Sequence, residues 1–247
     1  MKRLRSLLLS ALILTLFCSC SENRDNVLKI YNWSAYIADG VLDDFKALYK
    51  EQTGEDIEII YQTFDINETM LTKIEKGHED FDLVCPSDYI IERMLNNGLL
   101  LPLDFSVIPD STNYIRQNRS PFIEEIFRKI NPSIDANDYS VAYMWGTTGL
   151  LYNASRVSDE EASSWDALRN PKFDGKILMK DAPRDIFSPV LMFLKQKELA
   201  DSTITRDELM YDSSEESIAA VEGFMKQVTP FVAGWETDFG KEQMTQE

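Results

Sequence analysis

At 247 residues, with 25 Lys and Arg against 42 Asp and Glu, the chain has a formal net charge of −17. Phosphates need a basic surface, so this balance excludes nucleic acid as a partner; an acidic surface draws in cations instead. One histidine, His78, and three cysteines offer no Cys/His cluster for a transition metal, so neither metal nor cofactor is expected.

The first element is an export signal. Lys2, Arg3 and Arg5 precede an apolar run from Leu7 to Phe17, too short to cross a bilayer as a stable helix. It ends in Phe17-Cys18-Ser19-Cys20-Ser21, which resembles a lipobox, where a small residue precedes the cysteine that becomes lipidated. Cys20 follows Ser19 and is the expected lipidation site, with residues 1–19 as signal peptide and 20–27 as tether. Cleavage removes three basic residues and no acidic one, leaving 22 Lys and Arg against 42 acids, a charge of −20. The expected product is a monomer, lipid-anchored in the periplasm or cell envelope. Cys85 is then the remaining thiol; within Phe81-Asp82-Leu83-Val84-Cys85 it reads as buried and inert. His78 reads as a solvated loop residue.

An α/β pattern follows. Leu28 to Tyr31 reads as a strand. Gly40 and Gly54 bracket a helix with Val41, Leu42, Phe45, Leu48 and Tyr49 at helical spacing. Ile57 to Phe64 is a β-branched, aromatic strand, and Asn67 is placed to cap a helix carrying Met70, Leu71 and Ile74. Phe81 to Cys85 is a short strand stopped by Pro86, before a helix from Asp88 to Asn97. This alternation predicts a parallel sheet. From Leu99 to Asp138 the chain is less periodic, with a helix near Phe122 to Ile130. Tyr139 to Tyr152 is apolar and β-rich. Ser164 opens a short helix, Ile177 to Met179 is a strand, and Ile186–Leu194 and Glu215–Val228 are helices. Phe231 to Trp235 begins another strand. Lobes over 28–139 and 140–247 are expected, the second incomplete.

Ligands of open parallel sheets collect at the carboxyl ends of strands. Three such ends lead into Asn32-Trp33-Ser34-Ala35-Tyr36, Pro86-Ser87-Asp88-Tyr89 and Lys180-Asp181-Ala182-Pro183-Arg184-Asp185; a fourth segment is Tyr143-Met144-Trp145-Gly146. Carboxylates hold ammonium groups, and aromatic faces attract cations and cover methylenes, so the mixture suits a polyamine. Trp33, Tyr36, Tyr89 and Trp145 supply walls; Asp88 and Asp185 supply charge. Structural roles compete: Ser87-Asp88 as a helix cap, Asp181 and Asp185 as partners of Arg184, Trp145 as a buried junction residue.

Tyr31-Asn32-Trp33-Ser34-Ala35-Tyr36, Asn67-Glu68-Thr69-Met70 and Asp82 to Tyr89, followed in order by Tyr139 to Gly149, Ser164 to Leu168 and Asp181 to Asp185, resemble the spermidine/putrescine-binding proteins of ABC importers. The resemblance covers residues 28–240. It implies a two-lobed periplasmic-binding-protein fold of type II-like form, and ligand contacts at Trp33, Ser34, Tyr36, Ser87, Tyr89 and Asp185. Ala182 falls where some members carry a second ligand-facing carboxylate. Family members continue for about a hundred residues more, within ordinary domain sizes; this stretch alone is expected to bind polyamines weakly or not at all.

The resulting expectation is a polyamine binder, not an enzyme, that closes around its solute and presents it to a membrane ABC permease. Within the same fold the solute could instead be an amino acid, a ferric ion or a sugar. A glycosidase using Asp181 and Asp185 is the alternative of another class.

Overall fold

The structure is a computed structural model that describes residues 24–107, 114–237 and 240–245. The signal segment, Cys20 and the start of the tether lie outside the described residues. Two compact units are present: a smaller one reaching through Tyr31 and including Ile37–Gln62 and Asp80–Val84, and a larger one of Asn32–Tyr36, Thr63–Glu79 and Cys85–Glu247.

In the smaller unit, β1 (Val27–Trp33) lies at the centre of a three-stranded sheet, between β2 (Glu58–Phe64) and β3 (Leu83–Val84). β1 and β3 run parallel, with Ile30 opposite Leu83 and Tyr31 opposite Val84. The two-residue β3 ladder is extended by a side chain. The Lys29 amide donates to Asp82 Oδ2 at 2.7 Å, while the Asp82 amide donates to the Lys29 carbonyl at 3.0 Å. Arg24 and Lys29 add ion pairs to Asp80, and Arg24 also meets Asp82 at 3.2 Å. Tyr31 stacks on Phe81 with centroids 4.5 Å apart. Helix α1 (Val41–Thr53) ends at Gly54, whose φ of 80° is open to glycine and whose amide donates to the Lys50 carbonyl at 2.9 Å. The apolar positions of α1 fall on helical spacing as expected, yet Val41, Phe45 and Leu48 stay exposed.

The larger unit begins with α2 (Asn67–Gly77) and α3 (Asp88–Asn96), then the short α4 (Tyr114–Asn118) and α5 (Pro121–Ile130). Ile91 and Leu95 of α3 bury against Ile130 and Ala136. Further along the chain come β4 (Ile177–Lys180), α6 (Pro183–Leu194), α7 (Gln196–Ala200), α8 (Arg206–Tyr211), α9 (Glu215–Val228), β5 (Val232–Glu236) and α10 (Gly240–Thr245). β4 and β5 pair in parallel, Met179 facing Trp235 and Lys180 facing Glu236. Ile177 and Met179 point into a core with Val190, Leu191, Leu209, Val221, Phe224 and Val228, the alternation expected of a strand with one buried face. α8 starts with a complete capping box, Thr205 with Glu208. No described helix is long and apolar enough to cross a membrane.

Two sequence expectations are corrected. Asn67 does not cap α2: Ile66 holds the cap position and Asn67 is the first helical residue, its side chain turned to other partners. Tyr139 to Tyr152 forms no strand. A β-rich run becomes a strand only beside a neighbour with free ladder groups, and none of the described strands pairs with it.

Candidate functional site

The residues singled out at strand ends fall in the larger unit, and each is placed by the element it starts or finishes. Trp33 closes β1. Its ring lies 4.5 Å from the buried Phe64 ring and 5.9 Å from that of Tyr36. Asn32, 5% exposed, accepts from the Trp33 amide at 2.8 Å, so the turn that carries Trp33, Ser34 and Tyr36 is held from beneath. Ser34 is exposed and Tyr36 half-buried. The Tyr143 hydroxyl donates to the Tyr36 carbonyl, tying the irregular 139–152 segment to this turn.

Ser87, Asp88 and Tyr89 open α3. Ser87 occupies the cap position but does not use its hydroxyl to cap; the hydroxyl accepts from Asn67 Nδ2 at 2.9 Å. The same Nδ2 donates to the Tyr89 hydroxyl at 2.9 Å, and Asn67 Oδ1 accepts from the Ser87 amide at 3.1 Å. Asn67 is 4% exposed, a buried amide with its capacity used, as burial demands. The Tyr89 hydroxyl in turn donates to Glu68 Oε1 at 3.1 Å. Asp88 Oδ1 accepts from the Tyr89 amide at 2.9 Å, so this carboxylate is engaged in the first turn of α3.

Asp185 stands in the first turn of α6, after β4. Arg184, beside it, pairs with neither Asp181 nor Asp185; its guanidinium carbon lies 4.9 Å from the Tyr89 ring centroid. Trp145 is 72% exposed on the irregular segment and is not brought against the other aromatic residues. The buried-junction role weighed for it does not hold.

Two carboxylates, Glu68 and Asp185, and two cations, Lys180 and Arg184, meet in this corner. Burial pushes the Tyr89 hydroxyl well above its usual range, and the Glu68 charge pushes it further. Asp185 is exposed by surface area, yet surrounding protein strips enough water from its carboxyl to raise it above the usual range. The Lys180 ammonium opposes that rise and the Glu68 carboxylate reinforces it. Both groups therefore feel Glu68. A neutral phenol flanked by two carboxylates offers a ring face and counter-charges to a cation.

Sequence reasoning did not foresee the contacts of Asn67 and Glu68 with Ser87 and Tyr89 and assigned Arg184 elsewhere. A usable signal was present: Asn67-Glu68 follows the end of β2 just as the other segments follow β1, β3 and β4. Outside this corner, Cys85 is half-buried and its thiol is pushed up by burial, and His78 is an exposed residue at the end of α2. No group of His, Cys, Asp and Glu among the described residues is arranged to hold a metal ion.

The sequence profile of bacterial extracellular solute-binding proteins matches residues 80–245, and the chain belongs to this family. Among its relatives, the spermidine/putrescine-binding periplasmic protein of Escherichia coli K12 is 32% identical over 241 residues, 96% of this chain and 61% of that protein. The putrescine-binding periplasmic protein PotF of the same organism is 35% identical over 177 residues, covering 68% of this chain and 44% of that one. A solved Listeria monocytogenes structure, provisionally described as a spermidine/putrescine ABC transporter, superposes with a TM-score of 0.71 at 32% identity, over 90% of this chain and 60% of that chain. The spermidine/putrescine ABC transporter substrate-binding protein PotD of Streptococcus pneumoniae gives 0.59 at 29%, over 90% and 59%. The fold class is therefore the α/β, two-lobed class of periplasmic binding proteins, and this chain matches about 60% of the length of three of these relatives and 44% of PotF.

Proposed function

We propose that this chain carries the polyamine-binding part of an ABC import system and delivers its solute to a membrane permease without chemical change. The observation that carries the reading is the corner around Tyr89: a ring fixed by Asn67, with the Glu68 and Asp185 carboxylates acting on it. Trp33, Ser34, Tyr36, Ser87 and Asp185 are the further contacts we assign, with Trp145 joining on closure. Asp88 is given charge only at longer range, because its carboxylate serves the first turn of α3. The names of the relatives support the same solute class. The lobes are assigned to 28–139 and 140–247, and the molecule is taken as a monomer held in the cell envelope through lipid on Cys20.

An NMR titration tests the reading, since it registers weak binding as readily as tight. Putrescine and spermidine are expected to move the Trp33 indole and Tyr89 ring signals saturably, and Asp185→Asn to weaken that response at least fivefold. Saturation by an amino acid, a sugar or ferric ion in place of the polyamines overturns the solute class. Metabolic labelling with palmitate, lost in Cys20→Ala, checks the anchor.

A further inference from the structure

We propose that Arg184 is an internal competitor for the cation position on Tyr89, and that it sets the threshold a cationic solute must pass to enter the site. The inference rests on the cation-binding reading above and adds a control to it. The Arg184 guanidinium carbon lies 4.9 Å from the Tyr89 centroid, within the distance at which an aromatic face holds a guanidinium or an ammonium. Its place in the fold is unfavourable for a cation. Arg184 is the second residue of α6, and the first turn of a helix is its positive end, where carboxylates are favoured and cations are not. Among the described residues no carboxylate forms an ion pair with it, although Asp181 and Asp185 are close in sequence. The Tyr89 face is the contact that accounts for its position.

The hydroxyl end of the ring is anchored. Its hydroxyl is held by Asn67 and Glu68, each through a hydrogen bond of ordinary length, and the residue is half-buried. A solute ammonium approaching this face meets a positive charge tethered at high effective concentration and has to displace it. The charge left exposed by displacement is small for a solute that also reaches Glu68 and Asp185, and uncompensated for one that reaches only the ring. Arg184 thereby keeps the face covered against weak, singly charged amines.

The test uses the full chain with Arg184→Gln and Arg184→Met, two neutral replacements that tolerate an exposed helix start. The Tyr89 ring signals are followed by NMR during titration with n-butylamine, putrescine and tetramethylammonium. Apparent affinity for n-butylamine and tetramethylammonium is expected to rise about three- to tenfold in both variants, the range a single cation–π contact supplies, and that for putrescine to rise less. The gain should vanish when Tyr89→Leu is added, the shared indole response of Trp33 then serving as the readout. Unchanged or lower affinity in both variants overturns the proposal and makes Arg184 a positioning residue. If polyamines fail to bind any form, the polyamine reading falls. The competitor is still decided by tetramethylammonium, which must shift the Tyr89 signals at about three- to tenfold lower concentration in the variants than in the wild type; equal behaviour in both overturns it.

Discussion

The Tyr89 hydroxyl donates to Glu68 Oε1 at 3.1 Å, so one carboxylate both orients the ring and holds its proton in place. Glu68→Gln removes the charge and keeps the size. The Tyr89 hydroxyl should then ionise at lower pH than in the wild type, because the charge that raised it is gone. A site-resolved alkaline titration by NMR checks this; no movement would show that burial alone sets the value.

Asn67→Ala leaves the Ser87 hydroxyl, the Ser87 amide and the Tyr89 hydroxyl each short of a partner in a part-buried region. Unmade hydrogen bonds of this kind cost about 2–3 kcal/mol. Urea denaturation should show that loss, and polyamine responses at Tyr89 should weaken with it. A loss below about 0.5 kcal/mol would place Asn67 among ordinary surface residues.

Trp33 and Phe64 touch, but they divide the work of the contact. Phe64 is 5% exposed and Trp33 half-buried. Phe64→Ala should cost about 3–5 kcal/mol, as for other buried aromatic truncations. Trp33→Ala should cost less than half of that while removing more of the solute response. Parallel urea and ligand titrations separate the two effects.

Asp185 supplies a pH dependence with a definite sign. Its carboxyl is raised in the folded protein, so between the unfolded and folded values the folded state binds the extra proton. Stability from this group is therefore greatest at low pH and declines as pH rises through that window. Asp185→Asn should remove that decline. In the wild type, cation affinity should fall as acid protonates the carboxylate, above the pH at which an ordinary aspartate would do so.

The elements were legible where local chemistry decided them. Gly40 and Gly54 mark the ends of α1, and the alternating burial of Ile177 to Lys180 matches β4. Strand ends singled out Trp33, Ser87, Tyr89 and Asp185, and the structure places all four in the larger unit. Failure came where a partner lay far along the chain. Tyr139 to Tyr152 has strand composition, but composition records a fit to a pleated surface and supplies no neighbour. Arg184 next to Asp185 suggested an ion pair, yet adjacent residues on a helix point to different sides, and the ring that Arg184 meets is on α3. Asn67 looked like a cap because its side chain can serve one; its burial among Ser87 and Tyr89 depends on how β2 and β3 are ordered.

The Asn67 clamp also has a consequence in time. Its partners sit 20 and 22 residues away, so loop closure costs little and the clamp belongs to the early contacts of a chain that emerges from its N-terminus. Arg184 lies much later. On the competitor reading proposed above, the Tyr89 hydroxyl is then anchored while its face is still bare, and a free amine meets an uncovered ring before the guanidinium reaches it.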